Sequence, residues 1–352
     1  MSAGWSIGVA PGSHDPAARS EGVIVMARLT NSSRERSLSA CFGARILALM
    51  NNKLVVVAGG NGKLGRLIVE SLLAHAGVSV RVLVRDPAKL DVSALPKDRV
   101  EVVAFDAALA TDAARADAVK GSYAVVSALQ GGPDIIVDAQ LALLRAAKAA
   151  GARRFIPSDY SYNVFTLPEG INVNSDWRRT LGELARKEGT ATFEVVHVMQ
   201  GIFTDKTVLG FLGLFDGEKG VLRYWGDGTA PIDWTTWEDT ARYTAAAALD
   251  EGSVPEQLFV SGDRMDALTF AKTWEAAHGK KVALERLGSL EELERETHRR
   301  LAAEPGNMYA WLPLMYARGV FGGQALLGPS QNSRYPSIQP ETVAQAIARG
   351  AV

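Results

Sequence analysis

The chain has 352 residues, 47% of them hydrophobic, room for one large or two ordinary domains and too apolar a composition for a disordered chain. Lys plus Arg number 38 against 39 acids, and a net charge this near zero gives no electrostatic footprint for nucleic acid or an anionic membrane. The single cysteine, Cys41, excludes an intrachain disulfide, the five histidines are scattered without metal-ligand spacing, and no apolar run is long enough for a membrane span.

Residues 1–49 differ from the rest. They hold five Arg, no Lys and three acids, with many Ser, Gly and Ala and no periodicity. The expectation is a disordered extension, or sequence upstream of a working start at Met50. An organelle transit peptide is the competing reading, against which stand the acids and the missing amphipathic face. No secretory leader is recognisable, and the expected location is cytoplasmic.

From Lys53 the pattern becomes regular. Residues 54–58 form a short Val-rich run that suits a parallel strand covered on both faces. A glycine loop follows, then Leu64, Leu67, Ile68 and Leu72, spaced as one helical face. Further strands are expected over 78–84, 100–105, 123–129, 154–157 and 193–198, with a helix over 135–150 closed by Gly151. Strands alternating with helical segments give repeated βαβ units and an open parallel sheet. The fold class expected is α/β: a Rossmann-type, doubly wound parallel sheet with a smaller mixed α/β substrate lobe.

After about residue 200 the rhythm changes, and Trp225, Trp234, Trp237, Trp274 and Trp311 all fall here. Thr235-Thr-Trp-Glu238 and Ser289-Leu-Glu-Glu292 read as capping boxes, and Pro340 as the first residue of a terminal helix. The organisation expected is a dinucleotide-binding domain over 50–200 and a substrate lobe over 201–352. The boundary reads as discontinuous, with about 231–262 returning to the first domain.

The loop Gly59-Gly60-Asn61-Gly62-Lys63-Leu64-Gly65 fits two spacings, one starting at Gly59 and one at Gly60. In both, glycine permits the tight turn and close approach of a pyrophosphate, and the helix N-terminus offers unpaired N–H groups. The Val-rich strand before it and the amphipathic helix after it are the context such a motif needs. At the tip of the second strand, Arg85 suits a ribose 2′-phosphate and selects NADP(H), with Lys63 and Lys89 close by; the other reading makes Asp86 the reader of a 2′-hydroxyl. Asp106, at the third strand tip, either orients the adenine or caps the next helix. Ser127, at the fourth, is expected in the crevice outside the carboxyl ends of the strands.

From Lys53 onward the chain resembles the NmrA-like and isoflavone-reductase-like branch of atypical short-chain dehydrogenases. The resemblance rests on Val57-Ala-Gly-Gly-Asn-Gly-Lys-Leu-Gly65, on Leu83-Val-Arg85 and on Asp138-Ala-Gln140. It continues in Arg154-Phe-Ile-Pro-Ser-Asp159, Gly201-Ile-Phe203 and Arg334-Tyr-Pro-Ser-Ile-Gln-Pro-Glu341. It implies NADPH and hydride transfer to a phenylpropanoid-type or quinone-like small molecule. Some members act instead as NADP(H) sensors, which would call for a protein partner.

No Tyr is followed four residues later by Lys, so the common short-chain dehydrogenase pair is missing. The resembling branch uses a helical lysine whose position here is Arg178. Arginine stays protonated and can polarise a carbonyl or hold an oxyanion, but cannot act as a base. Three readings stay open: Arg178 as electrostatic stabiliser; Arg178 on the surface, with Tyr160, Lys187, His197 or water as proton donor; and a site with no catalytic acid. His197, inside a strand pattern, reads as a core residue. Phe203, Phe211, Trp225 and Trp237 are candidates to face a flat aromatic substrate, each weighed against an ordinary core role. The function expected is NADPH-dependent reduction of a small aromatic, enone or quinone-like substrate.

Overall fold

Strand β1 (Lys53–Ala58) is followed by α1 (Lys63–Leu73), β2 (Val78–Val84), β3 (Val100–Ala104), α2 (Asp112–Val119) and β4 (Ala124–Ser127). Next come α3 (Gln140–Ala149), β5 (Arg154–Ile156), α4 (Val173–Arg186) and β6 (Glu194–Val195). This computed structural model describes residues 52–352, and the expectations for residues 1–49 and for Met50 lie outside the described residues. The six strands make one all-parallel sheet in the order β3-β2-β1-β4-β5-β6. Order reverses between β1 and β4, and in open α/β sheets the crevice at such a switch is where ligands bind.

Strand β4 and most of β1 are buried on both faces, as their unbroken apolar runs require, whereas the edge strand β3 is not. Val55, Val57, Val80 and Val126 point to one side, against Ile68 and Leu72 of α1. Val56, Leu83, Val125 and Phe155 point to the other, against Val119, Leu143 and Ala147. Gly151 sits just past α3 at φ +78°, in the left-handed region that suits glycine. The expected helix over 135–150 is interrupted: Asp134–Ala139 is a π-helical segment running into α3.

The sixth strand differs from expectation. It splits into β6 and β7 (His197–Met199): β6 pairs with β5, and β7 with β12 (Gln257–Phe259). Between them only the Val196 N–H reaches back to Phe155 O.

Beyond β7 lie β8 (Ile202–Phe203), α5 (Lys206–Phe211), β9 (Phe215–Asp216), β10 (Val221–Trp225), β11 (Ile232–Thr235) and α6 (Trp237–Leu249). After β12 come β13 (Asp263–Met265), α7 (Ala267–His278), β14 (Ala283–Gly288), α8 (Leu290–Ala303), α9 (Met308–Phe321) and α10 (Val343–Ala348). Two three-stranded sheets, β14-β10-β9 and β13-β11-β8, surround a second core. Its centre is Trp234 stacked on Phe270 at 4.7 Å, with Trp274 nearby. Helix α6 packs instead on α1, β4 and β5, its Ala241, Tyr243 and Ala245 in the same core as β1. Arg334 and Tyr335 bind the Asp250 carboxylate just past α6, at 2.8 and 3.0 Å, which gives that sequence landmark a structural role.

Three local expectations shift. The α6 cap is Thr236, whose side chain accepts from Asp239 N–H; Thr235 ends β11. The terminal helix is capped by Thr342 in a full capping box, so Pro340 lies outside it. Ser289 and Glu292 form the capping box at α8 as expected.

Candidate active site

A cleft of about 1140 Å³ lies outside the carboxyl ends of the central strands. It begins at Arg85 and Asp106, passes the glycine loop and Leu129, and ends at Ser158 and Arg178. Neighbouring strands are roughly 4.8 Å apart, so β2 to β5 spans about 14 Å, the scale of an extended ligand.

Glycine is required at three of the four loop positions. Gly59 has φ +87°, and a Cβ there would lie 2.7 Å from Ala128 O. A Cβ on Gly60 would strike Val82 at 2.1 Å, and one on Gly65 would lie 2.3 Å from Gly59 O. Gly62 is different, because its Cβ would make only ordinary contact at 3.5 Å. It is the α1 N-cap and supplies no side-chain cap. The first-turn amides of Lys63, Leu64 and Gly65 therefore have no intrahelical acceptor and carry the positive end of the helix dipole. Leu64 itself is buried. Asn61 leans across to donate to Asp86 O at 3.4 Å.

Arg85 is exposed at the tip of β2 and has no ion-pair or hydrogen-bond partner among the described residues. Asp86, the rival reader, turns into its own loop: it accepts from Ala88 N–H at 3.1 Å and faces Lys89 at 3.5 Å. Lys63 does not join Arg85. Its ammonium crosses the cleft to Asp205 at 2.6 Å and lies 5.1 Å from the centre of the Trp237 ring. Burial pushes the Asp205 carboxyl up, but the Lys63 ammonium and the Thr207 and Val208 amides outweigh it and hold it below the usual carboxylate range. Asp205 is a site residue that sequence reasoning missed; Asp205-Lys-Thr207 opening a helix was the available signal.

Asp106 lines the cleft and accepts from Ala108 N–H at 3.0 Å; the next helix is capped by Thr111, so the capping alternative fails. Ser127 does not face the crevice. It is fully buried on the Val125 side of the sheet, and Ala128 and Leu129 line the cleft instead. Side chains alternate along a strand, and here the alternation turns Ser127 inward.

At the far end the sequence motifs meet. Gln140, fully buried, accepts the Ser158 N–H at 2.9 Å, and Ser158 donates its hydroxyl to Leu129 O at 2.6 Å. This pins the turn after β5. His197 Nδ1 and Asp159 Oδ2 lie 2.6 Å apart, both almost completely buried. Arg178, on α4, closes the turn: its Nε donates to Ser158 O and Asp159 O, each at 3.1 Å, and its Nη1 to Asn174 O at 3.0 Å.

Tyr160 departs from expectation. Its φ of +35° is left-handed, a strained setting for a bulky residue. Although the residue borders the cleft, its hydroxyl is buried without a hydrogen-bond partner. Burial drives its pKa well up; the neighbouring Thr244 hydroxyl, itself donated to Thr240 O at 2.7 Å, offsets little. Lys187 is exposed at the C-cap of α4 and does not line the cleft. His197 is committed to Asp159 inside the protein, in keeping with a core position.

Phe203 and Trp237 both line the cleft, stacked on each other at 3.5 Å between ring centres. Phe211 and Trp225 do not line it; they pack around the second core and its neighbour. Among the described residues no group of three or more His, Cys, Asp or Glu could hold a metal, and no helix is long and apolar enough to cross a membrane.

Residues 51–304 match the model of the NmrA-like family. Pinoresinol reductase 2 of Arabidopsis thaliana is 25% identical over 241 residues, covering 65% of this chain and 75% of that protein. The structure of an isoflavone reductase superposes with a TM-score of 0.69 at 18% identity, over 85% of this chain and 99% of that one. Leucoanthocyanidin reductase of Vitis vinifera, solved as a binary complex with NADPH, gives a TM-score of 0.68 at 18% identity, over 84% and 98%. The two structural likenesses are likenesses of fold, whereas the family match spans most of the chain: this protein belongs to the NmrA-like family.

Proposed function

We propose that the protein is an NADPH-dependent reductase of a planar, conjugated small molecule. The observation that carries this reading is the continuous cleft with an arginine at each end, Arg85 and Arg178, that no carboxylate among the described residues neutralises, and an uncapped helix N-terminus between them. The cradle fits a dinucleotide: Gly59, Gly60 and Gly65 leave no space for a Cβ, and the amides after Gly62 suit a pyrophosphate. Arg85, with Lys89 beside it, suits the 2′-phosphate of NADP(H), its fork matching phosphate oxygens. Asp106, which also lines the cleft, is the residue we assign to the adenosine. Relatives support the cofactor, one being solved with NADPH and another with NADP+ and pinoresinol.

Bound NADPH would supply the hydride. The chain's own residues position and stabilise. The stacked Phe203–Trp237 pair offers a flat apolar wall. Arg178, held by three carbonyls, is fixed before any substrate arrives, and a fixed guanidinium takes up negative charge on the substrate without reorganising. It cannot give up a proton, and the Tyr160 hydroxyl does not reach the cleft, so neither supplies the proton. That lack of a presented acid is also what favours a second reading, an NADP(H) sensor that passes its occupancy to a protein partner.

Loss of NADPH absorbance with a panel of quinones and enones tests the proposal. Tight NADPH binding without oxidation by any acceptor would transfer support to the sensor reading.

A further inference from the structure

The charges at the Arg178 end of the cleft are unevenly matched. A guanidinium has five N–H donors. In Arg178, Nε serves the two carbonyls of Ser158 and Asp159, and one Nη1 hydrogen serves Asn174 O. The outer edge of the fork, formed by Nη2 and the second Nη1 hydrogen, has no partner among the described residues. All the acceptors that hold Arg178 are neutral, so its full positive charge is left unbalanced.

Two of the carboxylates that line the cleft, Asp159 and Asp205, are committed elsewhere. Asp159 offers Arg178 only its backbone oxygen, while its Oδ2 turns inward to His197 at 2.6 Å. Asp205 pairs with Lys63 at 2.6 Å. The stacked rings of Phe203 and Trp237 line the same cleft as this unmatched charge. The outer edge of an arginine fork matches the two oxygens of a carboxylate, a fit that a lysine in the same place lacks.

We infer that the substrate is a planar aromatic acid, whose ring packs against the Phe203–Trp237 wall while its carboxylate takes both outer N–H groups of Arg178. This rests on the cofactor and reductase reading above and adds the substrate's charge to it. The buried His197–Asp159 pair then acts as a positioning element: by keeping the Asp159 carboxylate inward, it keeps Arg178 available to the ligand.

The test is a ligand series on the full chain loaded with NADPH. Benzoate, cinnamate and 2-naphthoate are titrated alongside their primary amides, which keep the shape and lose the charge. Binding is read from tryptophan fluorescence and by calorimetry. At least one acid is expected to bind about tenfold or more tightly than its amide, and the preference to shrink as salt rises. In Arg178→Met the preference disappears, and in Arg178→Lys part of it returns. Equal affinities for acids and amides, no binding by any acid, or a preference that survives in Arg178→Met would each overturn the inference. NADPH binding by the wild-type chain is measured in the same samples from cofactor fluorescence. Its absence would sink the cofactor reading itself, whereas NADPH binding with no acid preference would sink only the substrate class. The wild-type series needs no variant, so a misfolded Arg178→Met would not leave the question open.

Discussion

The two ends of the cleft are built in different ways. The glycine-loop end is local: a strand, a turn and a helix start within one stretch of chain, and its demands fall on backbone positions. The Arg178 end is assembled from afar. Gln140 holds Ser158, His197 holds Asp159, and Arg178 on α4 clasps the carbonyls of both turn residues. A local device tolerates no backbone change but depends little on the rest of the fold. An assembled one depends on several long-range hydrogen bonds, each replaceable and none visible in a short window of sequence.

The largest effect should come from Gly65→Ala. Its Cβ would lie 2.3 Å from Gly59 O, a backbone atom that cannot swing away, whereas a Cβ on Gly62 meets nothing closer than 3.5 Å. Overpacking costs about 1–3 kcal/mol. Displacing the loop should therefore weaken NADPH binding by up to about two orders of magnitude. Gly62→Ala should stay within severalfold of wild type. Titration of cofactor fluorescence in both variants checks the pair; equal losses would mean that the cradle does not depend on these close approaches.

Arg85→Ala should come next. A charge-assisted hydrogen bond is worth about 1.5–3 kcal/mol, so NADPH affinity should fall roughly tenfold to a hundredfold. NADH affinity should barely move. Unchanged NADPH affinity would return the role of reader to Asp86, although that carboxylate is already bound to Ala88 N–H.

These first two effects concern the end of the cleft that the sequence described best. The Val-rich strands, the loop and Arg85 were legible because period and spacing reflect local backbone needs. Ser127 and Lys63 were not, although both belong to the same half. The inward turn of Ser127 depends on strand register, and the engagement of Lys63 with Asp205 joins positions far apart in the chain. At the other end, Arg154-Phe-Ile-Pro-Ser-Asp159 was recognisable as a landmark. Its meaning needed Gln140, His197 and Arg178 placed around it. The split of the sixth strand was hidden because residues on either side of Val196 are equally strand-like, and only their pairing partners differ.

A smaller, pH-dependent effect joins the two ends through Lys63 and Asp205. The Asp205 carboxyl is held below its ordinary range in the folded protein. A depressed carboxylate pKa contributes stability that is fully present above the unfolded value, about 3.9, and is lost as pH falls through the folded value. Asp205→Asn keeps an acceptor for the α5 N-cap and removes the charge. Since Lys63 is half-exposed, the pair should contribute about 1 kcal/mol or less. The variant should melt slightly below wild type at pH 7, and the gap should close as pH falls below about 4. A gap independent of pH would point to packing rather than charge.

The smallest expected effect separates the two ends most clearly. Tyr160 follows directly after the turn that Arg178 clasps, and by position it is the obvious candidate acid. Yet its hydroxyl is buried without a partner, and burial drives its pKa up, so it keeps its proton and has no path to a ligand. Removing a general acid costs about 10²–10⁴ in rate. Removing a buried hydroxyl that has no partner costs little and can even stabilise. Tyr160→Phe should therefore leave the rate of NADPH oxidation with any working acceptor within about twofold of wild type, and the melting temperature equal or slightly higher. A loss of a hundredfold or more would mean that the turn opens during the reaction and brings the hydroxyl out. The strained backbone of Tyr160, at φ +35°, would then be part of the mechanism rather than a consequence of how the turn is pinned.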